Sequence, residues 1–76
     1  MRLRDYRRQK LISIEELAKE TGMSTRTIVD AERGRTTPRM MTIRRLCAAL
    51  EIEDPMSIDE FRRALTEDDE DESAAA

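Results

Sequence analysis

Two stretches of helical periodicity in this chain are separated by a very short link, which limits how the two helices can pack. The first stretch ends at Gly22, a typical helix-terminating residue, and Ser24, a typical N-cap, opens the second. A link this short forces the helices to cross steeply. Only a small side chain fits at such a crossing, which is a physical reason for Ala18. Met23 and Ile28 are expected to fill the wedge between the helices.

Apolar residues recur at helical spacing in five segments, which predicts an all-α chain. The expected helices cover about residues 2–10, 14–21, 25–33, 41–50 and 58–66. Two pairs, Ser13 with Glu16 and Ser57 with Glu60, have the spacing of capping boxes that would start the second and fifth helices. The predicted fold is a compact five-helix bundle in which the second and third helices form a helix-turn-helix.

Charge is distributed unevenly along the chain, and the net charge of −3 conceals this. Residues 1–45 carry 12 Lys and Arg against 6 Asp and Glu, whereas residues 67–72 are all acidic. We assign residues 1–66 to one domain and 67–76 to an acidic disordered tail. The basic N-terminal part predicts a polyanionic partner.

The residue inventory argues against several classes of function. The chain has one cysteine and no histidine, which excludes an intramolecular disulfide, a Cys/His metal site and histidine-based catalysis. Cys47 lies in an apolar helical run, where a small buried hydrophobe is the expected role. No nucleophile–base pairing is recognisable, so we expect no enzyme activity, cofactor or metal. With neither a signal peptide nor an apolar stretch of about 20 residues, a soluble, cytoplasmic protein is expected.

About residues 3–52 resemble the Cro and phage-repressor type of helix-turn-helix, found in XRE-like small bacterial and phage regulators. The resemblance depends on the segments LRDYRRQK, SIEELAKETGMS and TIVDAERGR, followed by a proline and the run LCAALEI. It implies a fold of lambda-repressor-like type and sequence-specific binding of double-stranded DNA in the nucleoid. It further implies transcription regulation, commonly repression, by a homodimer on a palindromic operator.

The resemblance also implies roles for individual residues. The positions that reach base edges are Thr25, Arg26 and Asp30. Positions at or near DNA phosphates are Thr27, Arg33 and Arg35. We add Ser24, which lies at the N-terminus of the third helix, and Arg39, which lies near the loop between the third and fourth helices. Arg7 and Glu32 match a structural salt bridge.

Chemistry supports base readout at two of these positions but leaves an alternative open. Arginine can bond guanine in bidentate fashion, and an aspartate can accept from cytosine. Asp30 can equally pair with Arg26 along the helix, since the two are four residues apart. Two residues depart from the family pattern. Ile14 stands where many members have a DNA-contacting glutamine, and Leu11 replaces a frequent turn glycine.

The C-terminal third of the chain permits several interpretations. The stripe of Ile58, Phe61 and Leu65 is either ordinary core or a dimer seam. The acidic tail is either a solubilising segment, a competitor of DNA for the basic face, or a docking site for a protein. Two other functions are therefore considered. One is an antitoxin-like autoregulator that binds a partner through helix 5 and the tail, and the other is a protein-interaction adaptor without base readout.

Overall fold

The computed structural model describes residues 1–66, and the predictions made for residues 67–76 lie outside this range. Within this range the regular secondary structure is all helical, which confirms the predicted five-helix fold. The helices are α1 (Leu3–Gln9), α2 (Ile14–Thr21), α3 (Thr25–Glu32), α4 (Met40–Leu50) and α5 (59–66), with a 3-10 turn at Pro55–Ser57 before α5. None of the helices in residues 1–66 is long and apolar enough to cross a bilayer.

The turn between α2 and α3 has the geometry that the sequence predicts. Gly22 takes a left-handed conformation with φ of 74°, and its N–H donates to the Ala18 carbonyl at 2.9 Å. The N–H of Met23 donates to the same carbonyl at 3.2 Å. Ser24 then caps α3, so that three residues, 22–24, separate the end of α2 from the start of α3. This turn fixes where α3 begins and which face it presents.

The core lies where the helices meet and is almost wholly aliphatic. One aromatic side chain, Phe61, belongs to it and is fully buried. The other fully buried large side chains come from all the remaining segments, namely Leu3, Leu17, Ile28, Leu46, Leu50 and Ile58. Burial on this scale is the main stabilising contribution to so short a chain.

The apolar stripe formed by Ile58, Phe61 and Leu65 belongs largely to this core. Ile58 and Phe61 are each 0% exposed, and Leu65 is partly buried against the same cluster. Ile58 and Phe61 therefore offer no surface to a second copy, and the interpretation of the stripe as a dimer seam is wrong for these two residues. For the same reason, Ile58 and Phe61 are not available to a protein partner.

The predicted capping box at the start of α5 is also wrong. The Ser57 hydroxyl donates to the Asp54 carbonyl at 2.7 Å, within the 3-10 turn, and α5 begins only at residue 59. The Glu60 carboxylate instead accepts the backbone N–H of Leu3 at 2.9 Å. That N–H belongs to the first turn of α1, where it has no partner within its own helix. The local pattern is outcompeted by a tertiary contact that joins the two ends of the domain.

Leu11 adopts the backbone conformation that a glycine would take most readily. Its φ is 59° and its side chain is exposed. The link between α1 and α2 thus makes a left-handed turn without glycine, at a conformational cost of roughly 1–2 kcal/mol. The departure from the family pattern at this position leaves the helical bundle intact.

Cys47 lies half-buried on α4, next to the core cluster. Burial raises the pKa of its thiol. A raised pKa keeps the thiol protonated at neutral pH and lowers its nucleophilicity, in keeping with a packing role.

Candidate DNA interface

The helix α3 presents its N-terminal turn to solvent. Ser24 accepts the Thr27 N–H at 3.1 Å, and the two hydroxyls are 2.8 Å apart. Ile28 and Ala31 turn inward and are buried, so the opposite face is free. Thr25 is exposed there, and the side chain of Arg26 is 91% exposed. A capped helix start with exposed polar side chains has the shape and chemistry required to enter a major groove.

Asp30 lies between two arginines, one turn beyond Arg26. Its carboxylate is 3.9 Å from Nε of Arg26 and 3.8 Å from Nη1 of Arg35. Because both arginines are well exposed, each ion pair contributes less than about 1 kcal/mol to the stability of the fold. The pair of Arg26 with Asp30 along the helix, which the sequence left open, is therefore present, but its N–O distance is close to the upper limit for an ion pair. Asp30 brings both guanidinium groups toward one side of α3 without holding either tightly.

A buried ion pair anchors the other end of α3. Nε of Arg7 is 2.6 Å from Oε2 of Glu32, and Nη2 of Arg7 donates to Oε1 at 3.1 Å. A further bond runs from Arg7 to the Ile12 carbonyl at 2.9 Å. The two side chains are 9% and 5% exposed. The two residues that the resemblance pairs thus connect α1, the α1–α2 link and α3, which fixes the angle at which α3 stands.

Further arginines surround the face of α3 that adjoins α1. A concave surface of about 190 Å³ is lined by Arg2, Arg4, Arg7, Arg8, Ile14, Val29, Glu32 and Arg33. Within residues 1–66, Arg4, Arg8 and Arg33 make no ion pair, whereas Arg7 is paired with Glu32. The half-buried Ile14 forms part of its wall. We call this surface the arginine concavity.

Sequence reasoning overlooked Arg4 and Arg8. Their spacing of four residues along α1 places both on one side of that helix, and this signal was available. What the sequence did not reveal is that this side of α1 faces the end of α3. The structure shows this because one concave surface contains side chains from both helices.

The remaining predicted contacts are exposed but less closely grouped. Arg33 ends α3, and Gly34 follows in a left-handed conformation with φ of 72°. Arg39 is the N-cap residue of α4 and is exposed, with no side-chain capping bond. Among residues 1–66, neither Thr25 nor Arg39 forms a side-chain hydrogen bond or ion pair with the other predicted contacts.

Together these features define a class of protein, a small helical domain that presents one capped helix flanked by arginines. A family model described as helix-turn-helix matches residues 3–54, which is more than half of the chain and spans α1 to α4. The chain therefore belongs to the helix-turn-helix family of Cro and phage-repressor type, a family of DNA-binding transcription regulators. No curated protein and no solved structure matches the chain significantly.

Proposed function

We propose that this protein is a transcription repressor that binds a specific duplex sequence and occludes a promoter. The observation that carries the proposal is the exposed first turn of α3, where the side chain of Arg26 is 91% exposed. In this proposal Thr25, Arg26 and Asp30 read base edges in the major groove. Arginine to guanine is the commonest specific contact of this kind.

Phosphate contacts fix the register of α3 on the duplex. The proposed contacts from the sequence are Ser24, Thr27, Arg33, Arg35 and Arg39. We add Arg4 and Arg8 to the proposed contacts, because they share the arginine concavity with Arg33. Ile14 and Val29 give this concavity an apolar wall that suits the sugar rather than the phosphate.

The proposal includes a homodimer on a palindromic operator, with half-sites about one helical turn, ~34 Å, apart. One domain of this size makes few contacts, and a second copy doubles them. Since Ile58 and Phe61 are internal, a dimer seam has to draw on other apolar side chains. The exposed large hydrophobics in residues 1–66 are Met1, Leu11, Met40, Met41 and Met56.

The salt dependence of duplex binding tests the proposed phosphate contacts. Arg33→Ala and Arg8→Ala should each make the negative slope of log K against log salt less steep by about 1. Each of these arginines neutralises one phosphate in the proposal and releases its counterion. Affinity should fall by a similar factor for all duplex sequences. Fluorescence anisotropy titrations of a labelled duplex over a range of salt concentrations measure both quantities.

The matched control is Arg62→Ala. Arg62 is an exposed arginine on α5 that pairs with Asp59 at 3.1 Å and does not line the arginine concavity. Its removal should leave the salt slope unchanged. An unchanged slope for Arg33→Ala, or an equal reduction for Arg62→Ala, would contradict the proposed phosphate surface.

A further inference from the structure

A second depression lies on the other side of Arg33, between the loop after α3 and helix α5. Its volume is about 340 Å³. Three arginines from three segments line it, Arg2, Arg33 and Arg63, and the loop contributes Thr36, Thr37 and Pro38. We call it the arginine groove. Arg33 lines both this groove and the arginine concavity, so it connects the two surfaces.

Of the two carboxylates at the groove, Asp59 pairs with an arginine outside it, whereas Glu60 pairs with the groove arginine Arg2. Asp59 pairs with Arg62, which does not line the groove, at 3.1 Å. Glu60 accepts the Leu3 N–H at 2.9 Å and is 3.7 Å from Nε of Arg2. Arg33 has no carboxylate partner within residues 1–66. Among the described residues, Arg33 therefore gives the groove a positive charge that no carboxylate pairs and that an anionic ligand would neutralise.

An anionic ligand is attached directly to the groove's edge. Arg63 lies one helical turn before residue 66, and residues 67–72 are Glu-Asp-Asp-Glu-Asp-Glu. Six residues would span at most about 20 Å if extended, which is enough to reach from residue 66 to the groove that Arg63 lines. Tethering gives such a segment an effective concentration near the millimolar range.

We propose that the acidic segment 67–72 binds in the arginine groove and competes with DNA for Arg33. The docking itself does not depend on the proposed function, whereas the competition does. A segment seated on Arg33 shields a proposed phosphate contact and places negative charge beside the duplex path. Non-specific DNA binding is affected most, because it depends almost wholly on phosphate contacts.

The test compares the full chain with a full-length variant in which all six acids become amides, E67Q, D68N, D69N, E70Q, D71N and E72Q. Backbone amide shifts in NMR spectra should differ around the groove, at residues 33–37 and at residue 63. The amide variant should bind a random duplex about three- to tenfold more tightly in low salt, and the difference should vanish in high salt. Amide shifts confined to residues 67–76, or equal affinities, would overturn the proposal.

General repulsion of DNA by six acids is separated from docking by a double-mutant cycle. Arg63→Ala removes a groove arginine and should reduce the gain from neutralising the acids. Arg45→Ala is the control, since Arg45 is exposed and lines a different surface with Glu20 and Thr21. If Arg63→Ala and Arg45→Ala reduce the gain from neutralising the acids equally, the acids repel DNA without docking in the groove. That result would overturn the proposal. If neither form binds a duplex, the proposed function fails, while the amide shifts still decide the docking.

Discussion

Replacing Arg7 with alanine is expected to destabilise the domain by about 3–5 kcal/mol, the cost of breaking a buried ion pair from one side. The Glu32 side chain is 5% exposed, and Arg7 Nε lies 2.6 Å from its carboxylate. Without Arg7, that carboxylate remains buried with no cation, and the Ile12 carbonyl loses its donor. The loss is a large part of the total stability expected for a small domain, about 5–15 kcal/mol.

Thermal unfolding followed by circular dichroism measures this effect. A loss of this size should lower Tm by at least roughly 12 °C. In a domain of 60–100 residues, a loss of 1 kcal/mol in the free energy of unfolding lowers Tm by about 4–8 °C. Arg8→Ala is the matched control, because Arg8 is an exposed neighbour without an ion pair in residues 1–66, and it should change stability by less than about 0.5 kcal/mol.

A second control separates the buried charge from the loss of packing. The double variant Arg7→Met with Glu32→Leu removes both charges and keeps the apolar volume. It should recover most of the stability that Arg7→Ala loses, because an ion pair replaced as a unit leaves no charge uncompensated. An Arg7→Ala protein that melts like the parent would show that the ion pair does not hold α3.

Arg26→Ala is expected to weaken binding to the specific site by about 1–3 kcal/mol, roughly 5- to 150-fold, and to relax the preference at one base position. Folding should not change, since the side chain is 91% exposed and its one ion pair within residues 1–66, with Asp30, has an N–O distance of 3.9 Å. Competition of the selected site against variants with one changed base pair measures both effects.

Arg26→Lys distinguishes base readout from a simple charge contact. Lysine keeps the charge but loses the planar fork that bonds guanine O6 and N7 together. If Arg26 reads a base, Arg26→Lys should remain impaired in discriminating the variant sites. If affinity and preference are both unchanged in Arg26→Ala, Arg26 does not read a base.

The helix boundaries were predictable because their signals are local. Ser13 and Ser24 each accept a backbone N–H three residues on, and Gly22 supplies the left-handed turn, as their positions indicate. These interactions involve neighbours in sequence, so a pattern of residue types is enough to identify them. The buried partners Arg7 and Glu32 are different, since they are 25 residues apart. Only the resemblance to a known family suggested that pair.

The errors and the alternatives left open concern residues whose role depends on distant neighbours. Ser57 and Glu60 have the spacing of a capping box, yet Glu60 binds the start of α1. The stripe containing Ile58 and Phe61 is amphipathic, but periodicity does not reveal which surface covers it. Tertiary packing overrides the local pattern in both cases. The arginine concavity was missed for the same reason, because it exists only where α1 and α3 meet.

The most direct test of the central claim is selection of bound duplexes from a random pool by the full-length protein, with its mass in solution measured alone and on the selected DNA. We expect one enriched sequence with two inverted half-sites about one helical turn apart, bound by two copies of the chain. A pool that shows no enrichment over a control lacking protein would contradict sequence-specific binding. A single asymmetric site bound by one copy would contradict the homodimer while leaving base readout by α3 in place.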